Sequence, residues 1–273
     1  MKILGIIITL LLLFTLVACE TTSKPTLVTH DCTDHTTTSL KAQGEVEDIG
    51  AGLLSRRGFV YMEGTEGGPE LDSIPLVNPS FEEGDPPEGW TYRNSNNASR
   101  VSNPVKSGSY ALKYEYSKDT PYGFAYTGLF DREQWAGKDI TVAAWCKTDV
   151  SATVRIECQE WGGTWHRWAI CSYHPGDSEW HLLIGSGTVP GDLAYNFTIM
   201  VGVAISRTWD CTFYVDGVVA LEGRAVFEDG EFDIGTYSLT IDDLEPDTSY
   251  RVRAFGENEA GMGYGNTVSC ETL

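Results

Sequence analysis

Beyond residue 20 the chain never sustains the apolar spacing of an amphipathic helix; its apolar residues come in short alternating runs cut by turns. Tyr237-Ser238-Leu239-Thr240-Ile241 alternates strictly, and Ile140-Thr141-Val142-Ala143-Ala144-Trp145-Cys146 is rich in β-formers. The 29 glycines and 11 prolines supply the punctuation between such runs. Alternation sends successive side chains to opposite faces, so each run must pair with neighbours and bury one side. The expectation is an all-β protein, and 273 residues allow one or two domains with real cores.

The N-terminus is different. Met1-Lys2 precedes an apolar run, Ile3 to Val17, of about 15 residues, the length of a signal h-region and short of the ~20 that a spanning helix needs. It ends in Leu16-Val17-Ala18-Cys19, which resembles the lipobox of bacterial lipoproteins. The resemblance implies a signal peptide over 1–18, cleavage before Cys19, lipidation of Cys19, and a polar tether over 19–24. The mature protein would then be exported and membrane-anchored without a transmembrane helix. Glu20, in place of an aspartate, favours the outer membrane or cell surface. A plain secretory peptide with an incidental cysteine is the alternative.

The formal net charge is −20, and loss of Lys2 with the signal would make it more negative still. Such a chain repels nucleic acid and anionic lipid headgroups, and lysine and arginine form no basic stripe. Neutral glycans carry no such penalty. His30-Asp31-Cys32 with His35 could suggest zinc, but no second paired-ligand motif accompanies it, and a turn with ordinary polar residues is expected there.

Gly44-Glu45-Val46 through Arg57-Gly58-Phe59-Val60-Tyr61 resembles the opening strands of a fibronectin type III-like sandwich, and Leu244-Glu245-Pro246-Asp247-Thr248-Ser249-Tyr250-Arg251-Val252-Arg253-Ala254 resembles its tyrosine corner. The two stretches lie at opposite ends of the chain. The resemblance therefore implies one split domain, 25–73 plus 223–273, serving as a display scaffold. Leu40, Val46, Phe59 and Tyr61 are its expected early core positions, and Tyr250, Val252 and Ala254 share one face of a later strand. Cys32 and Cys270 would lie near its two ends, where a disulfide staple is attractive. Cys146, Cys158, Cys171 and Cys211 fall on expected strands of the insert, as further disulfide partners or as buried thiols.

The insert, 74–222, opens with Asn78-Pro79-Ser80-Phe81-Glu82 and Gly89-Trp90, continues with Ser107-Gly108-Ser109-Tyr110-Ala111-Leu112, and closes with Tyr214-Val215-Asp216. These motifs resemble the galactose-binding-like jelly rolls, which include carbohydrate-binding modules. The resemblance implies a structural calcium where the first and last strands meet, with Glu82 and Asp216 as its carboxylates. Gly217 stands where the family carries a second acid. Alternatively, the two carboxylates are solvated or satisfy strand-end amides.

Sugar recognition needs aromatic faces for the C–H side of pyranose rings and planar polar groups for hydroxyls. The densest supply is Thr153 through Trp168. Alternation sends Val154, Ile156 and Cys158 toward the core and Arg155, Glu157 and Gln159 to the other face. Trp161 and Trp165 flank a Gly-Gly turn at its rim. The resemblance makes Arg155 and Trp165 glycan contacts, with a surface ion pair between Arg155 and Glu157 as the plainer alternative. Trp90 is an expected core residue, Trp145 belongs to core or cleft, and Trp168, Trp180 and Trp209 are expected in packing roles.

No nucleophile elbow, phosphate loop or zinc-hydrolase helix is present in the sequence, and no catalytic residue is assigned. The expectation is a non-catalytic polysaccharide- or glycan-binding lipoprotein, acting beside partner glycan-degrading enzymes. A protein-binding adhesin or structural surface lipoprotein is the first alternative, and a polysaccharide lyase or hydrolase the second.

Overall fold

The structure is a computed structural model describing residues 23–64, 74–92, 97–117, 119, 124–151, 154–160, 173–203, 210–258 and 260–273. The first three strands are β1 (Thr26–Thr33), β2 (Leu40–Asp48) and β3 (Leu54–Glu63). The middle of the chain forms β4 (Trp90–Tyr92), β5 (Ala98–Val101), β6 (Ala111–Tyr116), β7 (Phe124–Phe130), the single turn α1 (Arg132–Trp135), β8 (Asp139–Thr148), β9 (Val154–Glu160), β10 (Trp180–Thr188), β11 (Phe197–Val203) and β12 (Cys211–Glu222). The last four strands are β13 (Arg224–Phe232), β14 (Gly235–Ile241), β15 (Ser249–Asn258) and β16 (Gly261–Glu271). The all-β expectation holds. No helix among the described residues is long and apolar enough to cross a membrane.

The two ends of the chain meet in one sandwich. A three-stranded sheet, β1-β2-β14, faces a four-stranded sheet, β13-β3-β15-β16. Leu40, Val46 and Phe59 are fully buried between them, with Tyr61, Val252 and Ala254 in the same core. Tyr237 lies opposite Gly44 in the β2–β14 register, and a Cβ on Gly44 would fall 2.8 Å from the tyrosine ring. Glycine is what lets that ring cross the core and donate its hydroxyl hydrogen to Gly58 O at 3.0 Å. At the tyrosine corner, Tyr250 Oη accepts the Glu245 N–H at 2.8 Å, one residue on from the expected contact near Leu244.

The sandwich closes around its own ends. The Asn266 side chain acts as a ladder partner for β1: its Oδ1 accepts Thr29 N–H at 2.9 Å and its Nδ2 donates to Thr29 O at 3.1 Å. A disulfide joins Cys32 to Cys270, with Cα atoms 5.8 Å apart and a sequence separation of 238. The expected turn at His30–Cys32 is corrected: these residues belong to β1, where pairing with β2 holds them extended. Cys32 is in the disulfide and both His35 nitrogens face backbone oxygens of Cys32 and Glu271, which removes the zinc alternative there.

Between β3 and β13 lies a second sandwich, a jelly roll of a five-stranded sheet, β10-β8-β12-β6-β5, and a four-stranded sheet, β4-β7-β11-β9. Its core holds Phe81, Leu112, Tyr114, Ile140, Val142, Ile156, Phe213 and Val215. Tyr114 stacks on Phe213 at 5.2 Å between centroids. Trp90 is buried as expected, against Phe81 at 5.0 Å, and donates its indole N–H to Asn78 O. Trp135 is also core, and Trp180 is half-buried at the start of β10. Cys158 and Cys211 are buried free thiols; burial pushes the Cys211 thiol up to about 11 and Cys158 higher still. Such thiols pack as small apolar groups.

The outer face of the five-stranded sheet is covered by the first sandwich. Val60 and Phe255 from one side meet Leu221 and Val219 from the other. Arg56 of β3 is 3 % exposed at this junction, ion-paired to Asp229 at 3.0 Å and Glu257 at 2.6 Å, with its guanidinium 5.6 Å from the Trp145 ring. Trp145 therefore belongs neither to core nor to cleft. It sits between Arg56 and the Lys106 ammonium, the latter 3.9 Å from its ring.

Candidate functional site

With one outer face of the jelly roll covered, the other, on the β4-β7-β11-β9 sheet, carries the polar row expected from the sequence. Val154, Ile156 and Cys158 point into the core, and Arg155, Glu157 and Gln159 take the opposite face. Register extends that face across β11, setting Gly202 beside Arg155, Met200 beside Glu157 and Thr198 beside Gln159. On β7, Tyr126 lies opposite Met200 and Phe124 opposite Gly202, the two rings 6.0 Å apart.

These polar side chains are buried: Arg155 is 8 % exposed, Glu157 and Gln159 3 %, and Thr198 1 %. The surface ion pair of the sequence analysis is thereby corrected. Arg155 Nε lies 2.9 Å from Glu157 Oε2 and Nη2 donates to Oε1 at 3.3 Å, both side chains nearly out of water. Nη1 donates to Tyr173 Oη at 3.1 Å, and Tyr173 as a residue is 45 % exposed. Thr198 Oγ1 is buried without a hydrogen bond among the described residues. Tyr173 was not among the residues expected from the sequence; its signal is an aromatic a few residues beyond a tryptophan-rich stretch. Trp161 and Trp165, like Trp168, Trp209, Cys171 and Cys19, the expected lipidation position, lie outside the described residues.

Chemically, this face combines a planar guanidinium fixed by a carboxylate, a primary amide, a hydroxyl and an exposed tyrosine. Such groups pair with vicinal hydroxyls and present an aromatic face to a ring.

At another corner of the jelly roll, Glu82 and Asp216 grip the two ends of one loop. Asp216 Oδ2 accepts Lys106 N–H at 2.9 Å and Ser107 N–H at 3.0 Å. Glu82 Oε1 accepts Ser109 N–H at 3.0 Å and Tyr110 N–H at 3.1 Å. Gly108 turns between them at φ +63°, and a Cβ there would fall 2.3 Å from Glu82 Oε1. Both carboxylates thus satisfy strand-end amides, yet Asp216 Oδ1 is left buried with no hydrogen bond of normal geometry. Burial pushes the Asp216 carboxyl up to about 6 against the pull of the Ser107, Lys106 and Gly217 amides, and the Glu82 charge adds to the rise. A buried carboxylate oxygen without a well-aligned hydrogen bond, with a second carboxylate nearby, fits a hard divalent cation.

No family model matches the chain, and no curated protein matches it. Among solved structures it is similar to the C-terminal family 22 carbohydrate binding module of Clostridium thermocellum Xyn10B, at 17% identity and TM-score 0.41 over 56% of this chain and 99% of that one. It is also similar to the xylan-binding domain CBM22-1 of Paenibacillus barcinonensis Xyn10C, at 14% identity and TM-score 0.41 over 54% and 93%. A Stig cyclase from a Fischerella species gives 12% identity and TM-score 0.42 over 59% and 100%. Likeness at this level assigns neither ligand nor activity to the chain.

Proposed function

We propose that the protein is a non-catalytic glycan-binding lipoprotein in which the jelly roll captures a neutral polysaccharide and the split, fibronectin type III-like sandwich displays it. The observation that carries this is the buried polar row Arg155–Glu157–Gln159 with Thr198. Within this row Thr198 Oγ1 is buried without a hydrogen bond among the described residues, and such a group costs free energy that a ligand hydroxyl would offset. Arg155, Gln159 and Tyr173 would bind sugar hydroxyls and a ring face, Glu157 would hold the guanidinium in place, and Trp161 and Trp165 would complete the rim. Anchoring through Cys19 would put this cleft at the cell envelope, beside partner enzymes that degrade the same glycan. A calcium ion held by Glu82 and Asp216 would supply positive charge to two crowded carboxylates and brace the fold, away from the sugar.

The test is affinity electrophoresis of the soluble fragment from Thr21 against a polysaccharide panel. Retardation by one neutral glycan class, lost in Gln159→Ala and Trp165→Ala, is the expected result. A folded sample retarded by no polysaccharide would instead favour the adhesin or structural-lipoprotein alternative. Turnover of a polysaccharide would make the protein an enzyme.

A further inference from the structure

His174, Asp177 and His181 are the only three or more histidine, cysteine or acidic side chains among the described residues that stand close enough to share one ion; their donor atoms all lie within 4.8 Å of one another. His174 is fully buried, and its backbone N–H donates to Val154 O at 3.2 Å at the start of β9. Its tautomer follows from its partners. The Gly176 N–H donates to Nδ1 at 2.9 Å, so Nδ1 carries the lone pair. Nε2 then carries the proton and donates it to Glu179 O at 3.0 Å. His181, on β10, sets Nε2 3.0 and 2.8 Å from the two Asp177 oxygens. The two imidazoles meet edge to face, with centroids 4.9 Å apart.

We propose that these three residues form a binding site for a divalent transition cation of the zinc class. Two imidazoles and one carboxylate are a borderline donor set that suits zinc, nickel or copper, whereas calcium and magnesium prefer all-oxygen shells. The ion takes the place of the proton shared by His181 and Asp177. An ion on His174 Nδ1 displaces the Gly176 N–H from that lone pair, and the Nε2–H stays on Glu179 O as the bond that orients the ring. Donors around a tetrahedral zinc at ~2.1 Å stand about 3.4 Å apart, so the group has only a short way to close. Asp177 and His181 can make that adjustment, their side chains being 48 % and 38 % exposed.

The site lies where the two jelly-roll sheets come together. His174 is docked on β9 of one sheet and His181 belongs to β10 of the other, so a bound ion clamps that edge of the sandwich. His174 also follows directly on Tyr173, whose hydroxyl meets Arg155.

Isothermal titration of the full chain with zinc chloride, after removal of bound metal, tests this. One zinc equivalent is expected, with affinity falling about tenfold or more in Asp177→Ala and in His181→Ala. Both variants alter solvent-facing side chains, and circular dichroism would check that each is folded. Cobalt should give a visible absorption band in the wild type that both variants lose, and calcium should not displace it. The proposal is overturned if the folded wild type binds no zinc, or if both variants bind it as tightly as the wild type.

Discussion

Asp216 sets the clearest expectation at the scale of a single residue. Its folded-state value of about 6 lies above the ordinary 3.8, because burial disfavours the anion. The native state therefore holds this proton more tightly than the unfolded chain does. Its contribution to stability is full below about pH 4 and is lost as the pH rises through about 6, a loss on the order of 3 kcal/mol. In a chelator, thermal stability should fall across that window, and Asp216→Asn should flatten the fall. Calcium should restore the wild type above about pH 6 and leave Asp216→Asn unchanged; equal calcium responses in both would remove the site. The comparison with the variant matters because His35 is also raised, first by the Glu271 carbonyl and then by that of Cys32. Its contribution is likewise lost with rising pH, through its own raised value. The sequence marked Asp216 through the Tyr-Val-Asp ending, but the burial of its poorly bonded oxygen follows only from where the 106–110 loop packs.

At the scale of elements, β9 was the most legible. Val154 to Gln159 alternate and separated core from polar face in the sequence, and the register carries that separation across β11. The depth of the polar face was not legible, since alternation tells which way a side chain points and not what covers it. The first and last strands give the next prediction. The Cys32–Cys270 disulfide and the Asn266 side chain hold β1 against β16. Replacing both cysteines by alanine should lower unfolding stability by about 2–5 kcal/mol, measured by urea denaturation. Asn266→Ala should cost about 1–3 kcal/mol, because it leaves the Thr29 amide and carbonyl without their partner. An Asn266→Ala variant as stable as the wild type would mean that water replaces the amide.

For the molecule as a whole, the junction between the sandwiches decides how the jelly roll is presented. Arg56 is buried there with two carboxylates on one side and the Trp145 ring on the other. Removing one partner of a buried ion pair leaves an uncompensated charge, so Arg56→Ala should destabilise by about 3–5 kcal/mol. It should also weaken the coupling between the sandwiches, seen as two separated calorimetric transitions where the wild type gives one or a closer pair. Arg56→Met, which keeps much of the side chain's bulk, still strands Glu257 and should lie near Arg56→Ala. Recovery of full stability by methionine would mean that packing, rather than charge pairing, holds the junction.

The sequence by itself determined the β architecture and the core face of β9, because alternation and turn residues are local properties; it made one sandwich interrupting another, and a staple between Cys32 and Cys270, expectations that long-range strand pairing then decided. The tertiary structure alone decided that one jelly-roll face is covered by the other sandwich, that Trp145 serves the junction, and that the Arg155–Glu157 pair is buried. It also brought His174, Asp177 and His181 together at the meeting of two sheets. Each of these depends on which strands become neighbours, and strand order is set by long-range packing that no local pattern encodes.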